Sequence, residues 1–236
     1  MSNRLLDFID NCINITQSGL GQACLLCGRR LRGGLVCADC MRDLPLLSPD
    51  CCPGCALPSS GGALCGNCLR HPPAFDRTIA VFSYAFPLDA LIRDCKYGGN
   101  LALTDLFAER LAVHLADVPD RPDLLIPMPL HPARLSERGF NQAVEIGRRL
   151  AQRLKVEWRP NACQRVRDTP PQAGLDLKAR RHNLRGAFAC DTDLTGRRVA
   201  LIDDVMTSGA SLDELARVAK RSGARGVQAW VVARTP

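Results

Sequence analysis

The chain has 236 residues, with 31 Lys and Arg against 24 Asp and Glu for a formal charge of +7, and 13 cysteines. That length suits one α/β domain with a smaller appendage, and the absence of any apolar run near the ~20 residues that cross a bilayer excludes membrane insertion through a helix. The whole charge excess sits in residues 120–190, which carry 14 basic and 7 acidic side chains; such a segment suits a polyanionic ligand or a nucleic-acid backbone.

The first 20 residues carry acids inside an apolar pattern, which predicts an amphipathic helix on a cytoplasmic protein rather than a signal peptide. Leu5, Leu6, Ile9, Cys12 and Ile13 share its apolar face.

Residues 21–73 hold four C-x-x-C pairs: Cys24 and Cys27, Cys37 and Cys40, Cys52 and Cys55, Cys65 and Cys68. A shift of 28 positions lays the first two pairs on the second two, and takes Gly33, Gly34, Arg42 and Pro45 onto Gly61, Gly62, Arg70 and Pro73. One small module has therefore been duplicated. Two thiolates separated by two residues can point from one turn at a tetrahedral Zn²⁺, and a second turn closes the shell. Two structural Cys₄ sites are expected, paired within each repeat rather than crossed between them. Bound zinc supplies the folding energy that so short a segment lacks. Four thiolates around each Zn²⁺ leave this region acidic, which argues against it as the main contact to DNA phosphates. Cys12, Cys95, Cys163 and Cys190 have no ligand spacing and read as small buried hydrophobes.

Residues 74–236 alternate strand and helix patterns. A strand is expected at 78–84, a helix over L-D-A-L-I-R-D-C-K-Y ended by Gly98 and Gly99, and another helix over L-F-A-E-R-L-A-V-H-L. D-L-L-I-P-M-P-L at 123–130 reads as a buried strand that two prolines stop and turn. R-x-x-x-R-G-F-N-Q, from Arg134 to Gln142, leads into a helix N-terminus that can receive an anion. The Arg-rich segment 165–188 has the composition of a mobile loop leading into a short helix. V-A-L-I-D-D-V-M-T-S-G-A-S at 199–211 is a buried strand, an acidic pair and a Thr/Ser/Gly loop that opens a helix. Unpaired N–H groups, hydroxyls and the helix dipole there favour a phosphate. None of the four histidines has a partner at ligand or triad spacing.

The 199–211 string resembles the signature of phosphoribosyltransferases, which bind 5-phosphoribosyl-1-pyrophosphate (PRPP). By that resemblance Asp203 and Asp204 hold the ribose hydroxyls, and Thr207, Ser208, Gly209, Ala210 and Ser211 cradle the 5-phosphate. With the C-x-x-C ribbons, K-Y-G at 96–98, P-M-P-L, R-G-F-N-Q, T-P-P-Q, R-R-H-N and G-A-F, nearly the whole chain is similar to the ComF family, also called ComFC or GntX-like. The resemblance implies a type I phosphoribosyltransferase-like, mostly parallel sheet with flanking helices, plus the small N-terminal zinc-ribbon module.

It also implies Mg²⁺ bound with PRPP, and Lys96, Arg134, Arg138, Gln172, Arg180 and Asn183 around the pyrophosphate and second substrate. Arg138, Gln172 and Arg180 are the candidates for catalysis, and Lys96 and Arg134 for PRPP binding. Three function classes follow: a PRPP-binding protein serving DNA uptake or linked nucleotide metabolism, with single-stranded DNA and uptake proteins as partners; an active cytosolic phosphoribosyltransferase; and a zinc-ribbon docking scaffold. A glutamine-dependent amidotransferase of this class uses an N-terminal cysteine, whereas this sequence begins Met-Ser-Asn. Zinc and PRPP are expected to occupy separate, independent modules.

Overall fold

The computed structural model describes residues 22–116, 118, 120–168 and 183–236. The expected helix over 1–20 and the candidates Gln172 and Arg180 lie outside the described residues. The chain divides into two compact units, Met1–Leu44 and Pro45–Pro236. Composition draws the module edge after residue 73, but the unit boundary falls between the two cysteine repeats.

In the first unit, β1 (Gln22–Ala23) pairs antiparallel with β2 (Arg30–Leu31), and α1 (Ala38–Arg42) follows. The second unit opens on the other repeat, whose bridge between Cys51 and Pro58 matches the Ala23–Arg30 pair 28 residues earlier, and whose α2 (Gly66–Arg70) matches α1. Backbone hydrogen bonds repeat as well: Cys24 N–H to Arg29 O at 2.7 Å has its copy in Cys52 N–H to Leu57 O at 2.8 Å.

Beyond the repeats come β3 (Arg77–Ser83), α3 (Leu88–Tyr97), α4 (Leu103–His114), β4 (Leu124–Pro127), α5 (Pro132–Arg138), α6 (Gln142–Leu154), β5 (Glu157–Trp158), β6 (Cys163–Arg165), β7 (Phe188–Cys190), β8 (Arg198–Met206), α7 (Ala210–Arg221) and β9 (Gly226–Arg234). Five strands form one parallel sheet in the order β3-β9-β8-β4-β5, and β6 and β7 pair antiparallel. Successive strand residues face opposite sides, so both faces are apolar. Val199, Leu201, Ala229 and Val231 share a core with Leu212, Leu215, Ala216 and Ala219 of α7. Ala200, Ile202, Trp230 and Val232 alternate with them and are also fully buried. α6 packs on β4 and β8, α4 on β3 and β9, and these two helices on each other.

β4 leads onward to β5 on one side and β8 to β9 on the other. The loops after β4 and β8 therefore part, and the crevice between them is where open α/β sheets bind ligands. β4 ends at Pro127, opposite Ile202, whereas β8 runs on to Met206 paired, among the described residues, with β9 alone. Asn141 fixes the loop after β4: its side chain caps α6 by accepting from Ala143 N–H at 2.9 Å and donates to Met128 O at 3.0 Å.

Replacing Asn141 with Ala removes both bonds, and the expected cost is about 1–2 kcal/mol. It should appear as a lower urea midpoint at unchanged slope.

Candidate functional site

Asp203 and Asp204 occupy the stretch of β8 that has outrun β4, and as neighbours on a strand they point to opposite faces. Asp203 lines a concavity of about 240 Å³ together with Val205 to Leu212. Asp204 is 4% exposed, and its Oδ2 lies 2.7 Å from Nζ of Lys96, near the end of α3. The backbone N–H of Asp204 donates to Asp203 Oδ1 at 2.9 Å, and that of Val205 to Asp204 Oδ1 at 2.8 Å. Burial, then the neighbouring Asp204 charge, push the Asp203 carboxyl up to about 8, against the pull of Lys96.

The loop after β8 reaches α7 through Gly209, which has φ +76° and would place a Cβ 2.5 Å from Met206 Cε. Only glycine meets both conditions without strain. Gly209 offers α7 no side-chain cap. Thr207 to Leu212 thus line one concavity at the N-terminal, positive end of the helix dipole, where Ser208 Oγ accepts from Ala210 N–H at 3.4 Å.

Cationic groups stand on neighbouring elements. The Arg138 guanidinium lies over the Tyr97 ring at 5.7 Å and donates to Gln142 Oε1 at 2.8 Å, which brings the ends of α3 and α5 to the start of α6. Arg134 sits one turn back on α5, half-buried. Arg165, which the sequence reading assigned to a loop, instead lies on β6 over the ring of Phe188 at 5.8 Å. Burial and then the Arg134 charge lower its pKa, while Asp168 and Asp203 act in the opposite sense. The fields of the Arg134 and Arg165 guanidiniums thus overlap. Asn183 has a buried Nδ2 with no hydrogen-bond partner among the described residues.

The cysteines converge within repeats: the sulfurs of Cys24, Cys27, Cys37 and Cys40 lie within 4.8 Å of one another, and so do those of Cys52, Cys55, Cys65 and Cys68. Distances of 3.8 Å from Cys27 to Cys37 and 3.7 Å from Cys55 to Cys65 match the edge of about 3.8 Å in a zinc tetrahedron with 2.3 Å Zn–S bonds. Both sites fit Zn²⁺. Burial raises the Cys24 and Cys52 thiols, but surrounding backbone N–H donors outweigh it and bring them to about 6 and about 7.

The second cluster is built into its unit. Thr78 of β3 donates from its backbone to Pro53 O and from Oγ1 to Gly54 O, both at 2.8 Å, and Arg234 of β9 donates from Nε to Cys55 O at 2.7 Å. Backbone carbonyls, which leave no mark in side-chain patterns, thus tie the second repeat to β3 and β9.

Fold and site together define an α/β protein with an acid-lined crevice at its strand ends and a double Cys₄ ribbon. A family model described as double zinc ribbon domain matches residues 17–69. "DNA utilization protein YhgH" of Escherichia coli O157:H7 is 33% identical over 90% of this chain and 96% of its own. "Competence protein F" of Haemophilus influenzae is 31% identical over 94% and 93%, and "Competence protein ComFC" of Streptococcus pneumoniae is 22% identical over 89% and 99%. The chain belongs to this YhgH and competence protein F family. Among solved structures, a purine phosphoribosyltransferase from Pyrococcus horikoshii is similar with a TM-score of 0.36 and 17% identity, over 55% of this chain and 81% of that one. Among the described residues, no helix is long and apolar enough to cross a membrane.

Two outcomes follow from the site. Cys40→Ser should halve the zinc content and leave the second unit folded, as read by metal analysis and near-UV circular dichroism. With its folded-state pKa raised from 3.8 to about 8, Asp203 holds a proton that the unfolded chain has released, so the stability of the free protein falls as pH rises between those values. Melting curves of Asp203→Asn should match wild type near pH 4 and lie above it at pH 8.

Proposed function

We propose that the second unit binds PRPP, arriving as its Mg²⁺ complex, in the crevice at the ends of β4 and β8. The observation that carries this reading is that one concavity joins an acidic side chain, Asp203, to the loop and helix start at Thr207 to Ser211, where Gly209 supplies no side-chain cap. A sugar phosphate needs that pairing, with acceptors for its hydroxyls and N–H donors for its phosphate. The 5-phosphate sits on Thr207, Ser208, Gly209, Ala210 and Ser211, and the ribose hydroxyls meet Asp203 and Asp204. Mg²⁺ suits the same end of the strand, since carboxylate oxygens are the hard donors it takes.

The pyrophosphate then lies toward Lys96, Arg134, Arg138 and Arg165. Lys96 is paired with Asp204 in the free protein, so ribose hydroxyls arriving at Asp204 would release its ammonium toward the departing pyrophosphate. Any cleavage at the ribose C1 would rest on positioning and charge stabilisation rather than on a general base. Arg138, Gln172 and Arg180 are assigned to that step. The names of the relatives support a role in DNA handling, which we assign to PRPP binding in the cytoplasm with single-stranded DNA and uptake proteins as partners.

Titration calorimetry with Mg²⁺ and PRPP, with and without single-stranded DNA, tests the reading. Asp203→Ala combined with Asp204→Ala should weaken PRPP at least about 100-fold, the scale of two lost charge-assisted bonds, with zinc content unchanged. Wild-type protein that gives no heat with PRPP would overturn the assignment.

A further inference from the structure

Arg234 ends β9 and is 6% exposed. Its guanidinium donates to four main-chain carbonyls: Cys55 at 2.7 Å, Met206 at 3.1 Å, Thr207 and Thr235. A buried cation is costly unless every donor is met and an opposite charge stands near. The carbonyls take the protons of Nε and Nη1. The four-sulfur ligand set of the second cluster, whose Cys55 carbonyl takes the Nε proton, would supply the opposite charge once it holds zinc as thiolates.

The two ends of this fork lie in different sites. Cys55 is a ligand of the second Cys₄ cluster, and Met206 with Thr207 starts the loop that lines the concavity. A trans peptide is planar, with its C=O and N–H pointing opposite ways. With the Met206 and Thr207 carbonyls drawn to the guanidinium, the N–H groups of Thr207 and Ser208 must point away from it. The Cys52–Cys55 turn is held in place by its own sulfurs and by Thr78, so a metal that fixes the sulfurs also fixes the Cys55 carbonyl.

We infer that Arg234 is a positioning residue that couples the second zinc centre to the phosphate-type loop, so that zinc at Cys52, Cys55, Cys65 and Cys68 orders Thr207 to Ser211. The inference rests on reading that loop as a ligand site, but its structural half stands without any ligand. The first Cys₄ cluster lies in the other compact unit and serves as the control.

Amide hydrogen exchange on the zinc-loaded full chain separates the outcomes. Arg234→Lys keeps the charge and loses the fork; exchange in the 207–211 segment should accelerate at least about tenfold, with two zinc ions retained and 199–202 still protected. Cys68→Ser should accelerate the same segment, and Cys40→Ser should not. Unchanged exchange at 207–211 in Arg234→Lys, or equal acceleration by Cys40→Ser, overturns the coupling. Calorimetry on the same samples should show PRPP about tenfold weaker in Arg234→Lys. No PRPP heat in wild type alongside loop acceleration in the variant would sink the PRPP reading and leave the coupling standing. Arg234→Lys that binds PRPP like wild type, with an ordered loop, would sink the coupling alone.

Discussion

The ladder between β4 and β8 ends at Pro127 and Ile202, and from there β8 continues with β9 as its only strand partner among the described residues. Most of the site follows from this mismatch. A strand edge without a partner leaves N–H groups to satisfy, and Asp203 and Asp204 take those of the next residues with their own carboxylates. The acids are thereby oriented by the backbone that carries them. One faces the loop after β8 and the other meets Lys96 across the sheet. The proline that ends β4 is part of the same device, because it stops the neighbouring strand where the acids begin.

The duplicated ribbon shows how one local structure can serve two settings. Both copies have the same turns, the same N–H donors to sulfur and the same short helix. The first holds itself with surface charges: Arg29 and Arg42 both reach Asp39. In the second, Cys52, Cys55 and Cys68 belong to the hydrophobic core that includes Phe75, Ala80 and Met206. The segment leaving it is tied to α7, where Asp213 accepts from Ala74 N–H at 2.6 Å. The same metal-binding fold thus carries exposed charge pairs in one unit and forms an internal wall of the other.

Elements with strong local signals were legible in the sequence. The apolar run before Asp203, the helix after Gly209 and the C-x-x-C spacing stand where their periods put them, as do β3, α3, α4 and β4. The β6–β7 hairpin was not, because each strand has three residues and 22 others separate them; Arg165 was lost with it. Cys163 and Cys190, read as unrelated buried residues, stand directly opposite each other there. α5 is one short run between a proline and Gly139, too brief for a period to show. Arg234 was invisible for a different reason: a charged residue closing an apolar strand looks like its solvent end, and the carbonyls that accept from it belong to residues of unrelated type.

β9 comes after every other strand in chain order, yet it lies between β3 and β8, inside the sheet. During synthesis the second ribbon, β3 and β8 all leave the ribosome before the strand that joins them. Until β9 inserts, β3 and its ribbon have no edge on which to dock, and β8 lacks its longest partner. Contacts spanning this much of the chain form late and slowly, and exposed strand edges meanwhile invite wrong pairing. Assembly of the second unit is therefore committed by its final strand, and a nascent chain stalled before residue 226 holds the acids and the second set of zinc ligands without the strand that unites them.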